Sequence, residues 1–372
     1  MHIPDGYLSP ATCAVGFAVA VPLLAAASAR VGRTVKTRQV PTLAMLSALC
    51  FLVMMFNVPI PDGTTAHAVG GALIAVLLGP WAAVIAVTVA LTFQALLFGD
   101  GGILSFGVNV VNMAFVLPFV AYGVYRLLAQ GSTLTSWRRV AAAAVGGYVG
   151  INAAALTTGI ELGLQPIFFH DAAGMPLYSP YHVAQAIPAM LFAHLLVAGF
   201  AEAVMTGGVM AYLQRANTPL LQANNPGVPV DDDARAAAGP AALRPGVIAL
   251  AVMALIVVLT PLGLLAPGGA FGEDAPEDLD LGNLGLNAVP AGLANYAGFW
   301  NHTLLGDYGF SDGSHPVTGY LVSALVGIVV VGAAVFLLVT GVNALRARGE
   351  GGGGVTPSDS NLRAPLEPKA DA

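Results

Sequence analysis

Long apolar runs separated by short polar breaks constrain this chain more than any other feature. They cover residues 11–29, 40–58, 67–79, 81–98, 106–128, 140–160, 183–212, 247–266 and 317–338. Most are long enough to cross a bilayer as a helix, which takes about 20 apolar residues. Only 9% of the 372 residues are charged, against about 25% in soluble domains. The expected fold is therefore all-α, a polytopic membrane helix bundle placed in the cell membrane as a multi-pass protein. Cys13 and Cys50 fall inside apolar runs and read as packing residues. The basic residues are few and scattered, which argues against a nucleic-acid partner and leaves membrane lipid as the surroundings.

Charge gives the orientation. With nine alternating spans and the N-terminus outside, all 14 Lys and Arg fall in or beside the segments on the inner side, such as 30–39, 126–139 and 214–245. The outer segments hold acids instead: Asp62, Asp100, Glu161, Asp171 and those from Glu273 to Asp312. Residues 214–245, with Asp231-Asp232-Asp233, read as a flexible inner linker. That divides the chain into a seven-span module (1–213) and a two-span module (246–345) carrying a long outer loop. The tail, 346–372, reads as disordered. Because the linker separates the modules, the outer loop at 267–316 is expected to act apart from the first module and to contribute nothing to a site built there.

The chain opens Met1-His2-Ile3. A terminal amine, the next peptide nitrogen and the imidazole of residue 2 can close adjoining chelate rings on one metal ion. Here the donors are the Met1 amine, the His2 backbone nitrogen and His2 Nδ1. In-plane nitrogens suit Ni(II) or Cu(II), and Co(II) less strictly. A residue as large as His at position 2 blocks removal of the initiator Met, and no basic stretch, apolar core and small-residue cleavage site mark a signal peptide. His67 opens the third run on the same outer side and can supply a fourth nitrogen. Of the remaining histidines, His170, His182, His302 and His315 lie in outer segments. His194 sits in the seventh span with Glu202 two helical turns further on, and the pair reads as a structural polar contact between helices.

Met1-His2-Ile3-Pro4-Asp5-Gly6, Thr64-Thr65-Ala66-His67-Ala68-Val69-Gly70-Gly71, Gln94 through Gly102 and Gly107-Val108-Asn109-Val110-Val111-Asn112-Met113 together resemble the CbiM/NikM family. These are the substrate-specific membrane components of cobalt and nickel energy-coupling-factor ABC transporters. The resemblance covers residues 1–213 and implies metal ligands at Met1, His2 and His67. It also implies separate ATPase (A) subunits and a transmembrane coupling (T) subunit as partners, with Ni2+ or Co2+ as the transported substrate. Residues 247–345, with Thr260 through Gly268 and Gly319 through Gly327, resemble the NikN/PDGLE-like accessory component, although Ser311-Asp312-Gly313-Ser314 replaces a clear Pro-Asp-Gly-Leu-Glu.

The chain lacks the glycine-rich phosphate loop and the H-E-x-x-H of intramembrane metalloproteases. No enzyme activity, catalytic residue or resident cofactor is therefore expected. An ion-coupled secondary metal carrier is the alternative, but it would call for internal repeats and further intramembrane carboxylates. Copper(I) would want Cys or Met ligands rather than nitrogens. Ala14 with Ala18, and Gly16 with Ala20, are small residues four apart that offer a helix-docking face to the coupling subunit.

Overall fold

The computed structural model describes residues 1–60, 65–231, 245–265 and 269–351. Asp62, residues 232–244 of the expected linker and the expected disordered tail beyond residue 351 lie outside that set. Among the described residues, eight helices are long and apolar enough to cross a membrane: α1 (Pro10–Thr34), α2 (Thr37–Met55), α4 (Pro80–Phe98), α5 (Phe106–Ala129), α6 (Trp137–Phe168), α7 (Val183–Ala216), α9 (Gly246–Leu265) and α10 (Pro316–Leu345). Two short helices complete the numbering, α3 (Gly71–Leu78) and α8 (Thr218–Asn224). α1 starts where Ser9 Oγ accepts the Thr12 N–H at 3.1 Å and Pro10 takes the first helical position. α5 packs along α6, α6 along α7, and α10 along α2. Where α10 meets α2, Gly327 permits the contact, since a Cβ there would lie 1.9 Å from the Phe51 ring.

The third apolar run departs from the expected spanning helix. Helix α3 has only eight residues, about 12 Å of rise against a bilayer core of about 30 Å. Extended chain covers the remainder. Thr65–Ala66 pairs antiparallel with Val58–Pro59, and His67 to Gly70 follow without helix. His67 lies beside the N-terminus, whereas Val76 O, near the other end of α3, accepts Asn224 Nδ2 at 3.4 Å. The run therefore traverses the bundle as a broken element. Non-helical backbone at such depth survives only where protein surrounds it, and every residue of α3 is buried.

Glu202 on α7 makes the break possible. Its carboxylate accepts N–H groups from Val69 (2.8 Å), Gly70 (2.9 Å) and Ala72 (3.2 Å). These are the donors a helix start leaves orphaned, and a carboxylate also complements the helix dipole there. The expected polar contact of Glu202 between helices is thus made to backbone, while His194 turns to its own helix and its Nδ1–H donates to Met190 O, 2.7 Å away. Each buried N–H left unsatisfied costs about 1–3 kcal/mol. Glu202→Ala is expected to lower the thermal unfolding midpoint in detergent clearly, and Glu202→Gln to recover part of the loss. An unchanged midpoint in Glu202→Ala would show that α3 needs no such cap.

Two further expectations need correction. Glu161 is not in an outer loop, because no breaker follows Ile160 until Pro166 and α6 continues to Phe168. Its carboxylate instead accepts Asn112 Nδ2 inside the bundle. Gly16 and Ala20 are buried, with Gly16 packed on Gly107 and Val108 of α5, so of these four small residues Ala14 and Ala18 alone stay exposed.

Candidate metal centre

The N-terminal segment is not a loose tail but a strap clamped into the bundle by α5 and the loop before it. Asn109 Oδ1 accepts Ile3 N–H at 2.9 Å, and Asn109 Nδ2 donates to Ile3 O at 3.0 Å. Gly102 N–H and Ser105 Oγ also donate to Ile3 O. The Asp5 carboxylate accepts Ile103 N–H (3.0 Å) and Leu104 N–H (2.8 Å) just before α5 begins. Burial still pushes the Asp5 carboxyl above its usual range. The fit leaves no room at Gly102, where a Cβ would fall 2.1 Å from Asp5 Oδ1. These bonds fix the position of Met1 and His2.

They bring His2 against His67. The ring centroids are 5.1 Å apart at 31°, and the residues are only 3% and 4% exposed. His67 Nδ1 lies 3.0 Å from Ala68 O, which selects the tautomer with Nδ1 protonated and leaves Nε2 a free lone pair. His67 Nε2 and both ring nitrogens of His2 are buried without a hydrogen-bond partner among the described residues. Buried polar atoms are seldom left that way. Asp100 Oδ1 comes within 3.1 Å of His2 Nδ1, but this is not an ion pair. Burial, reinforced by the neighbouring terminal ammonium, lowers His2 to about 4, so the imidazole is neutral. Burial likewise raises Asp100 to about 6. A neutral imidazole, with one ring nitrogen unprotonated, is the form that binds metal.

The three ligand candidates Met1, His2 and His67 are therefore brought together. His194 is buried within electrostatic reach of His67. Among the described residues His170, His182, His302 and His315 do not line the cavity of about 230 Å³ beside the site. That cavity is bounded by His2, His67 and Asp100, and also by Glu273, Tyr308 and Tyr320 of the second module. Glu273 Oε1 accepts from the Met1 amine at 3.0 Å. Tyr308 Oη donates to Asp100 and lies 3.0 Å from Gln94 Nε2. The separation of the outer loop from the site, expected from the linker, is not what the fold shows. Sequence reasoning gave no role to Gln94, Asp100 or Asn109, although polar residues bordering or interrupting apolar spans are a signal in themselves. Gln94 and Asn112, like His194, sit in π-helical turns, Gln94–Phe98, Val110–Val116 and His194–Ala198. Such turns recur at functional sites.

The eight long apolar helices found among the described residues make a polytopic membrane bundle with buried imidazole nitrogens beside a cavity at one end. The chain belongs to the CbiM family, described as "Cobalt uptake substrate-specific transmembrane region", which matches residues 2–220. It is 46% identical over 360 residues to the fused nickel transport protein NikMN of Rhodobacter capsulatus, covering 94% of this chain and 99% of that one. It is 45% identical over 337 residues to the probable fused nickel transport protein LarMN of Lactiplantibacillus plantarum, covering 89% and 95%. A crystal structure of a truncated transition metal transporter superposes with a TM-score of 0.54 at 60% identity, covering 57% of this chain and 98% of that one.

Proposed function

We propose that this protein captures Ni2+ or Co2+ on the outer face of the membrane. The donors are the Met1 amine, the His2 backbone nitrogen, His2 Nδ1 and His67 Nε2. It acts as the substrate-binding subunit of an energy-coupling-factor transporter, with ATPase subunits and a coupling subunit supplying the energy. Residues 1–213 form the metal-binding module, 214–245 the inner linker and 246–345 the accessory module. The observation that carries the reading is the set of buried, unpartnered nitrogens on His2 and His67 beside the terminal amine. The N-terminus-outside orientation is supported by the described Lys and Arg, from Arg30 to Arg215, which cap the end of the bundle opposite Met1. The exposed face of α1 with Ala14 and Ala18 is the surface proposed for the coupling subunit.

Four in-plane nitrogens favour nickel over cobalt, and both fused relatives carry nickel in their names. In an equilibrium competition on purified protein with a free N-terminus, one metal ion per chain is expected, with Ni2+ displacing Co2+. A stoichiometry near zero for both ions would refute the capture role.

A further inference from the structure

The carboxylate that meets the terminal amine comes from the other module. Glu273 lies 272 residues from Met1 in sequence, yet its Oε1 is 3.0 Å from the amine. It is held there by its neighbours. Tyr7 Oη donates to Asp274 O at 2.9 Å, and Tyr181 Oη donates to Asp274 Oδ2 at 3.3 Å. Phe271 packs on the Tyr181 ring at 4.4 Å, and Glu273 N–H donates to Ala270 O at 3.0 Å. The other carboxylate touching the chelate region, Asp100, accepts from Tyr308 and Gln94 at Oδ2 and faces the His2 ring, not the amine, with Oδ1. Glu273 is therefore the acid aimed at the amine.

We propose that Glu273 is a positioning residue of the metal centre, so that the accessory module completes the site rather than only assisting transport. This rests on the reading of the Met1 amine as a ligand. An amine bound to a metal keeps two N–H bonds, and a fixed acceptor for one of them sets the direction of its lone pair. Acceptors placed behind a ligand in this way also raise its donor strength, and their loss typically lowers metal affinity about 10–100-fold. Glu273 further sets a negative charge beside a bound dication.

The test uses the full chain with a free N-terminus, Ni(II) competition titrations and EPR of the Cu(II)-loaded protein. Glu273→Ala is expected to weaken Ni(II) binding about 10–100-fold and to alter the Cu(II) g values and nitrogen hyperfine pattern. Glu273→Gln keeps an acceptor oxygen and should lose only a few-fold. Tyr7→Phe removes one bond that seats Glu273 while Tyr181 still holds Asp274, and should cost no more than Glu273→Gln. Wild-type affinity in Glu273→Ala or in Glu273→Gln would overturn the proposal. So would a Tyr7→Phe protein that reproduced the full loss, because the effect would then be loop seating. His2→Ala separates the two claims: if it too binds normally, the terminal chelate itself is wrong. If it fails to bind while Glu273→Ala is normal, only the role of Glu273 falls.

Discussion

Inserting two glycines between Met1 and His2 is expected to abolish high-affinity metal binding although every donor type is still present. The strap fixes Ile3 to Asn109, Gly102 and Ser105, so His2 stays in place and the amine is pushed outward. Three amides then separate the amine from the imidazole, so the two no longer close adjoining chelate rings within four in-plane positions, and the amine leaves Glu273. A loss of at least about 1,000-fold, about 4 kcal/mol, is expected in a competition titration. Acetylating the amine should have a similar effect. Binding to the unaltered chain should weaken as pH falls, because the metal displaces protons from the amine and from the His2 amide. If the glycine-inserted protein bound with unchanged affinity, the site would have to be sought at His67 and His194 without the terminus.

His67→Ala is expected to cost at least about 100-fold in affinity, about 3 kcal/mol, while leaving the protein folded. His67 contributes one local hydrogen bond, to Ala68 O, and its Nε2 has no structural partner among the described residues. The thermal midpoint of the metal-free protein should therefore change little while binding collapses. His194→Ala provides the contrast, since that ring is tied to Met190 O in its own helix. It should disturb stability more than affinity. Metal binding at wild-type strength in His67→Ala would remove His67 from the ligand set.

The bundle itself was legible because apolar length is a direct readout of membrane crossing. Met1, His2 and His67 were legible because their donor types and shared side of the membrane are properties of the sequence. What remained hidden depends on contacts between distant segments. The break in the third span follows from Glu202 supplying hydrogen bonds to residues 69–72, and no local pattern announces an acceptor 130 residues away. Glu161 was misplaced because a single acid resembles a span end, whereas Asn112 makes it tolerable inside. Gly16 and Ala20 were read as an outward docking face, yet small residues serve close packing within a chain equally well, here against Gly107 and Val108. The linker suggested independent modules, but covalent flexibility says nothing about whether the parts dock. Tyr308 stacked on Phe98 at 5.1 Å, Trp300 Nε1 donating to Leu96 O at 3.0 Å and Glu273 on the amine all join them.

The central claim is that the chain's own amine binds the metal. Ten methionines are present, but only Met1 can offer an amine nitrogen. Pulsed EPR on Cu(II)-loaded protein labelled with 15N-methionine therefore reads that one donor. A 15N coupling of the size expected for a directly bound nitrogen, absent from unlabelled protein and weakened or lost when the amine is acetylated, is the predicted result. A spectrum with only 14N couplings in the labelled protein would contradict the account.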